Sequence, residues 1–260
     1  MENECAEHVP VDYLGIVAVD AERFSERSDI AQGQAAEFLV GALATSFQGV
    51  GLGDVWKNRL FPAHRGDGYA FGFDYRRIPE VVGRWLDELQ EVLMASEPSS
   101  GGPLRLRVSL NAGPLPAIGG LSDGTGTARN ETHRLLNARV LKQVLAGQSS
   151  EVTRVAAIMS DRCFTDVVRS GRALHPDRFV HVTATVEDKR FEQSAWIYVP
   201  VPSGNLLAAG VAALAERKAE VGTREEEASN RPCVHVVGRG TVGNVNTGVI
   251  GGNQSGSFHC

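Results

Sequence analysis

The stretch His64-Arg65-Gly66-Asp67-Gly68-Tyr69-Ala70-Phe71-Gly72-Phe73 constrains this chain more than any other. An acid stands between two glycines, which makes positive φ available on either side of it and lets the backbone turn tightly. Tyr69, Phe71 and Phe73 then alternate with small residues, the period of a half-buried strand. A hairpin over residues 60–73 follows, holding the Asp67 carboxylate at a strand end and away from the core. Gly-Asp-Gly is also ordinary turn chemistry, so the stretch by itself leaves both readings open.

The elements around it fall into a regular order. Residues 13–20 are a continuous, β-branched apolar run ending in Asp20, the pattern of a buried central strand. Helical spacing of Ala35, Leu39, Leu43 and their neighbours predicts a helix over 31–47. A second helix covers 79–95, with Pro79 in its first turn, and a third covers 128–146. Further strands are expected over 104–110, 152–159, 179–186 and 194–201, the last two as an antiparallel pair. Residues 111–126, rich in glycine and proline, read as mostly loop with room for a short strand, and 161–169 as a short helix that Asp161 caps. The order β-α-β-β-α-β-α-β-α-β-β predicts an α+β fold with helices on a mostly antiparallel sheet.

After Pro202 the character changes. A last helix is expected over 206–221, followed by the charged run Arg224-Glu225-Glu226-Glu227 and a flexible Gly/Asn-rich tail. The division is an extension over 1–11, a main domain over 12–202, a C-terminal helix and charged linker over 203–227, and the tail over 228–260. A net charge of −5 argues against a nucleic-acid partner, which calls for a basic face. The start Met1-Glu2-Asn3-Glu4 is polar, and no apolar run is long enough for a membrane span. A cytoplasmic protein without a membrane or nucleic-acid partner is expected. The four cysteines show neither metal spacing nor a disulfide framework.

Asp20 and Asp67 close two different strands in a βαββ arrangement that brings those ends together. Two converging carboxylates repel unless a cation lies between them, and hard oxygen ligands suit Mg²⁺ or Mn²⁺. The bland alternative is a strand-end acid and a turn acid. Asn130 and Arg134 share a helix face at i,i+4 near a helix N-terminus, where they either meet an anion or merely form a polar surface.

Together these residues resemble the class III nucleotidyl cyclases, the adenylyl and guanylyl cyclase catalytic domains. Val17-Ala18-Val19-Asp20 through Phe24 and Ser25 is similar to the family's first strand, metal-binding Asp and phosphate-touching turn. Gly66-Asp67-Gly68-Tyr69 resembles its second metal-binding hairpin, and Arg107-Val108-Ser109-Leu110-Asn111-Ala112-Gly113-Pro114 its R-x-G-x-H-x-G-P strand. Asp123, Gly126, Asn130 and Arg134 keep the family's spacing of base-selecting Asp, Gly, transition-state Asn and Arg. The resemblance covers residues 12–201. It implies a ferredoxin-like βαββαβ core and conversion of a nucleoside triphosphate to a 3′,5′-cyclic nucleotide and diphosphate. Asp20 and Asp67 would hold two Mg²⁺ or Mn²⁺ ions, with Asn130 on the ribose and Arg134 on the α-phosphate. Phe24 and Lys189 would lie at the substrate, and a head-to-tail homodimer would bring the two groups of residues together.

The base-reading positions depart from the purine cyclases. Ala63 stands where adenylyl cyclases have Lys and guanylyl cyclases have Glu, although Asp123 keeps the partner position. Ala63-His64-Arg65-Gly66-Asp67 is more similar to the Arg-Gly-Asp hairpin of the Pycsar pyrimidine cyclases of antiphage defence, which implies UTP, then CTP, as substrate. A purine cyclase and a catalytically silent cyclase-fold interaction module are the alternatives. Residues 231–260 resemble Gly/Asn amyloid-signalling motifs, which implies a partner or self-assembly through the tail; a disordered linker is the other reading.

Overall fold

The computed structural model describes residues 11–116, 124–187 and 189–203. They belong to one compact unit, Met1–Ala219; a second, Glu220–Cys260, lies outside them, as do the expected helix over 206–221, the tail and Asp123. The strands are β1 (Val11–Ala21), β2 (Leu60–His64), β3 (Gly68–Asp74), β4 (Leu106–Pro116), β5 (Val155–Ser160), β6 (Val180–Thr185) and β7 (Glu192–Tyr198). They form a seven-stranded sheet in the order β2-β3-β1-β4-β5-β7-β6. Every pairing is antiparallel except β4 with β5, whose ends are joined through helices α5 (Thr127–Leu136) and α6 (Arg139–Ala146). A parallel neighbour needs such a crossover, whereas the β2–β3 hairpin closes with a tight turn. The predicted α+β class and strand order stand.

β1 lies in the middle of the sheet and is covered on both faces, which is why its sequence is continuously apolar. Val17 and Val19 face a core shared with α1 (Asp29–Gly49) and α4 (Leu86–Ala95), where Phe47, Phe71, Phe73, Trp85 and Leu89 meet. Ala18 faces the opposite layer with Ala70, Leu135, Leu141, Ile158 and Ile197. The short helices α2 (Gly53–Lys57) and α3 (Ile78–Glu80) complete the first layer, α3 running through a π-helical turn (Val81–Trp85) into α4. Among the described residues no helix is long and apolar enough to cross a membrane.

One local expectation is sharpened and two are corrected. The short strand allowed within 111–126 is the end of β4, which continues to Pro116 along β1, pairing Gly113 with Leu14 and Pro114 with Tyr13. The single helix over 128–146 is two. Asn137 ends α5 by donating from both its backbone N and its side-chain Nδ2 to the His133 carbonyl (3.1 and 3.0 Å), and Ala138 is extended at φ −59°, ψ 134°. Ser160, not Asp161, caps α7 (Asp161–Cys163), accepting from the Cys163 N–H at 3.3 Å. Asp161 instead accepts from Trp196 Nε1 at 2.9 Å.

Helix α5 is fixed on the sheet by close approach and hydrogen bonds. A Cβ at Gly113 would lie 2.6 Å from the Ala128 Cβ, so only glycine lets the helix sit this near β4. Asn111, 1% exposed, donates from Nδ2 to the Ala128 carbonyl at 3.0 Å and accepts the Ala112 N–H at 2.9 Å. Buried amide groups of this kind must be paired, and here the pairing sets the helix position.

Candidate active site

The site is built where β1 ends beside the β2–β3 hairpin. In the ladder Asp20 stands between Gly68 of β3 and Arg107 of β4, so these three positions share one sheet face. Gly66, at φ +78°, turns the hairpin, and Asp67 N–H donates to the Arg65 carbonyl at 3.0 Å. The Asp67 carbonyl accepts the Ala21 N–H at 2.8 Å, tying the turn to the end of β1. Gly68 lets the hairpin lie close against the backbone of β1. A Cβ there would be 2.6 Å from the Val19 carbonyl and 3.4 Å from the Asp20 Cβ. Gly68→Ala is therefore expected to destabilise the protein by about 1–3 kcal/mol, the usual scale of overpacking. Any shift it forces on Asp20 costs turnover as well; thermal melts and initial rates read the two effects separately.

Asp20 is not a free carboxylate. Arg107 grips it with two hydrogen bonds, Nε to Oδ1 at 2.7 Å and Nη2 to Oδ2 at 2.8 Å, with the side chains 15% and 13% exposed. Burial pushes the Asp20 carboxyl above its ordinary pKa, Arg107 opposes this, the charge of Asp67 adds to it, and Lys142 on α6 works with Arg107. Asp67 is exposed, and its side chain makes no hydrogen bond or ion pair among the described residues.

These residues suit a divalent cation in kind. Both are hard carboxylates, Asp67 is unengaged, and each Asp20 oxygen keeps a lone pair beyond its bond to Arg107. Among the described residues there is no cluster of three or more acidic, His or Cys ligands, so water and substrate oxygens would complete the shell, as Mg²⁺ prefers.

Asn130 and Arg134 both lie exposed on the outer face of α5, while Ala128, Thr132 and Leu135 on its other face are buried. Arg134 rests over the Phe191 ring at 5.6 Å. Phe24 packs partly buried against the core, in a short turn that follows Arg23 at φ 52°. Ala63 is half-buried on β2, and Arg65 and Lys189 are exposed. Asp123 lies outside the described residues.

Some solved structures share this architecture. An adenylate/guanylate cyclase/hydrolase from Silicibacter pomeroyi matches at a TM-score of 0.50 and 17% identity, covering 74% of this chain and 99% of that one. Adenylate cyclases from Trypanosoma brucei, in their monomeric state, match at a TM-score of 0.50 and 11% identity, over 75% and 91% of the two chains. The fold is that of the nucleotidyl cyclase catalytic domains. No family model and no curated protein matches the chain. At these identities the likeness to the cyclases is one of fold, and the chemistry rests on the residues.

Two features beside this cyclase-fold site go beyond motif reading. Arg107, the first residue of the strand motif, is the direct partner of Asp20, a pairing visible only once β1 and β4 are in register. Arg129 and His133 form a second i,i+4 pair on α5. Burial, then the charge of Arg65, pushes the Arg129 pKa down, and burial followed by Arg129 and Arg65 does the same to His133. Arg129 Nη1 donates to the Phe61 carbonyl at 3.0 Å and the Gly124 carbonyl at 3.4 Å, neither of them a charged acceptor. Among the described residues, Arg65 of the hairpin and Arg129 of α5 thus present like charges to one another.

Proposed function

We propose that this protein is a nucleotidyl cyclase, converting a nucleoside triphosphate to a 3′,5′-cyclic nucleotide and diphosphate. The observation that carries the reading is the juxtaposition of Asp20 and Asp67 at one end of β1, on a sheet with the cyclase fold. Asp20 and Asp67 hold Mg²⁺ or Mn²⁺, two ions per site. Such ions, when bound, lower the pKa of the ribose 3′-OH and neutralise the triphosphate. The chain's own residues do the positioning. The turn containing Phe24 offers backbone N–H groups to phosphate. Asn130, an amide with both donors and an acceptor, holds the ribose; Arg134 forks onto the α-phosphate as charge develops there. Lys189 adds a point charge for the outer phosphates.

Asn130 and Arg134 point outward from α5, so they serve a site completed by a second copy in a head-to-tail homodimer. Arg65 and Asp123 read the base. A guanidinium only donates, and either pyrimidine offers it two acceptors, O2 and O4 of uracil or O2 and N3 of cytosine, so the preference for UTP rests on the resemblance to the pyrimidine cyclases. Ala63 provides neither of the charged groups that purine cyclases use at its position. The resemblance to pyrimidine cyclases makes an antiphage second messenger the biological setting.

The test is direct. Purified protein is incubated with ATP, GTP, CTP or UTP and Mn²⁺, and products are identified by mass. Cyclic UMP in excess over the other products is expected. A purine product in excess overturns the pyrimidine assignment, and no cyclic product from any of the four overturns the enzyme.

A further inference from the structure

We propose that Arg107 is a resident counter-ion for Asp20, which suppresses metal binding to the free protein and releases Asp20 only when cation and triphosphate arrive together. This rests on the reading of Asp20 and Asp67 as metal ligands. Arg107 and Asp20 are directly opposed across the β1–β4 ladder and meet fork to fork at 2.7 and 2.8 Å. A guanidinium in this geometry is bound to the two oxygens that a metal would need. Both side chains are largely buried, so the pair is only weakly screened.

The local charges lead to the same conclusion. The field at Asp20 comes from Arg107, Asp67 and Lys142. Two acids and two cations sum to zero. A divalent ion added alone leaves that partly buried site with two uncompensated positive charges, next to a guanidinium that repels it. A triphosphate brings the missing negative charge. It is also an acceptor that the Arg107 fork fits as well as it fits a carboxylate. Arg107 further has Nη1, which makes no hydrogen bond among the described residues and is ready for a phosphate oxygen. Metal and triphosphate binding are then coupled through one side chain that exchanges Asp20 for phosphate.

A purely structural Arg107 makes a different prediction. Removing one partner of a buried pair destabilises the protein in either case. Only a counter-ion that competes with metal leaves behind a site that takes metal more tightly. The experiment compares the full-length wild type with Arg107→Gln and Arg107→Lys, without nucleotide, by Mn²⁺ titration followed by electron paramagnetic resonance. Thermal melts are recorded with Mn²⁺, with inorganic tripolyphosphate, and with both. Arg107→Gln is expected to bind Mn²⁺ at least tenfold more tightly than wild type, and its lowered melting temperature to rise with Mn²⁺ alone. The wild type is expected to rise appreciably only with Mn²⁺ and tripolyphosphate together.

Lysine keeps the charge without the fork and should lie between the two; if Arg107→Gln fails to fold, Arg107→Lys against wild type carries the comparison. Equal or weaker Mn²⁺ binding in the variants overturns the counter-ion role. So does a wild type that binds Mn²⁺ as well without tripolyphosphate as with it. If no protein binds Mn²⁺ under any condition, the metal-ligand reading of Asp20 and Asp67 falls as well.

Discussion

Asp67→Ala is expected to lower cyclase turnover by about a thousandfold, close to 4 kcal/mol of transition-state stabilisation, while leaving the melting temperature nearly unchanged. The two halves of this expectation have separate causes. On the proposed mechanism, the loss of rate follows from removing one of the two carboxylates that would hold the cations on the triphosphate. The retention of stability follows from what Asp67 does in the fold, which is done by its backbone. Its N–H reaches Arg65 and its carbonyl accepts from Ala21, while the exposed side chain makes no hydrogen bond among the described residues. Gly66, not Asp67, takes the positive φ, so alanine fits the turn. Surface changes of this kind stay within about 0.5 kcal/mol.

Asp20→Asn is a poorer test, because it would leave Arg107 as an uncompensated, largely buried cation and confound lost chemistry with lost stability. Full turnover in Asp67→Ala protein would remove Asp67 from the mechanism. A large fall in melting temperature would show that the turn depends on its side chain.

The contrast between the two acids shows how far the residues announce the geometry of the candidate site. Asp67 is legible because its signal is local: glycines on both sides and alternation immediately after. Asp20 is legible for the same reason, as the acid closing an apolar β-branched run. The pairing of Arg107 with Asp20 is not, because which residue faces Asp20 depends on the register between β1 and a strand more than eighty positions away. The β4 extension was hidden by chemistry that usually marks loops. Gly113 serves α5 packing, and Pro114 is tolerated because β5 pairs with β4 only as far as Leu110, leaving one side of the strand free of ladder partners. The break between α5 and α6 has no proline or glycine to announce it. There the apolar period continues from Leu135 and Leu136 to Val140 and Leu141, and Asn137 alone ends the helix. The overall α+β order survived these misses because each strand and helix carries its own period.

Trp85→Ala is expected to cost about 3–5 kcal/mol, the scale for truncating a fully buried aromatic, and to lower the melting temperature by roughly 10 °C. Trp85 is 0% exposed and stacks on Phe47 with centroids 4.5 Å apart. Its indole N–H donates to Ser46 Oγ at 2.9 Å, and Ser46 in turn donates to the Leu43 carbonyl at 2.9 Å. Alanine would remove the ring, leave a cavity and strand the Ser46 acceptor, so little of the loss can be recovered by collapse. Trp85→Phe, which keeps most of the ring volume, should lose much less, and the difference between the two variants separates packing from the hydrogen bond. The same aromatic cluster continues from Phe47 through Phe71 to Phe73 and Tyr69, the core-facing residues of β3, the strand that follows the Asp67 turn. Destabilisation without displacement of that strand leaves each folded molecule as active as before. Urea denaturation and turnover per folded molecule, measured on the same preparation, decide this. A specific-activity loss larger than the unfolded fraction explains would mean that the cluster sets the position of Asp67 and does more than stabilise the domain.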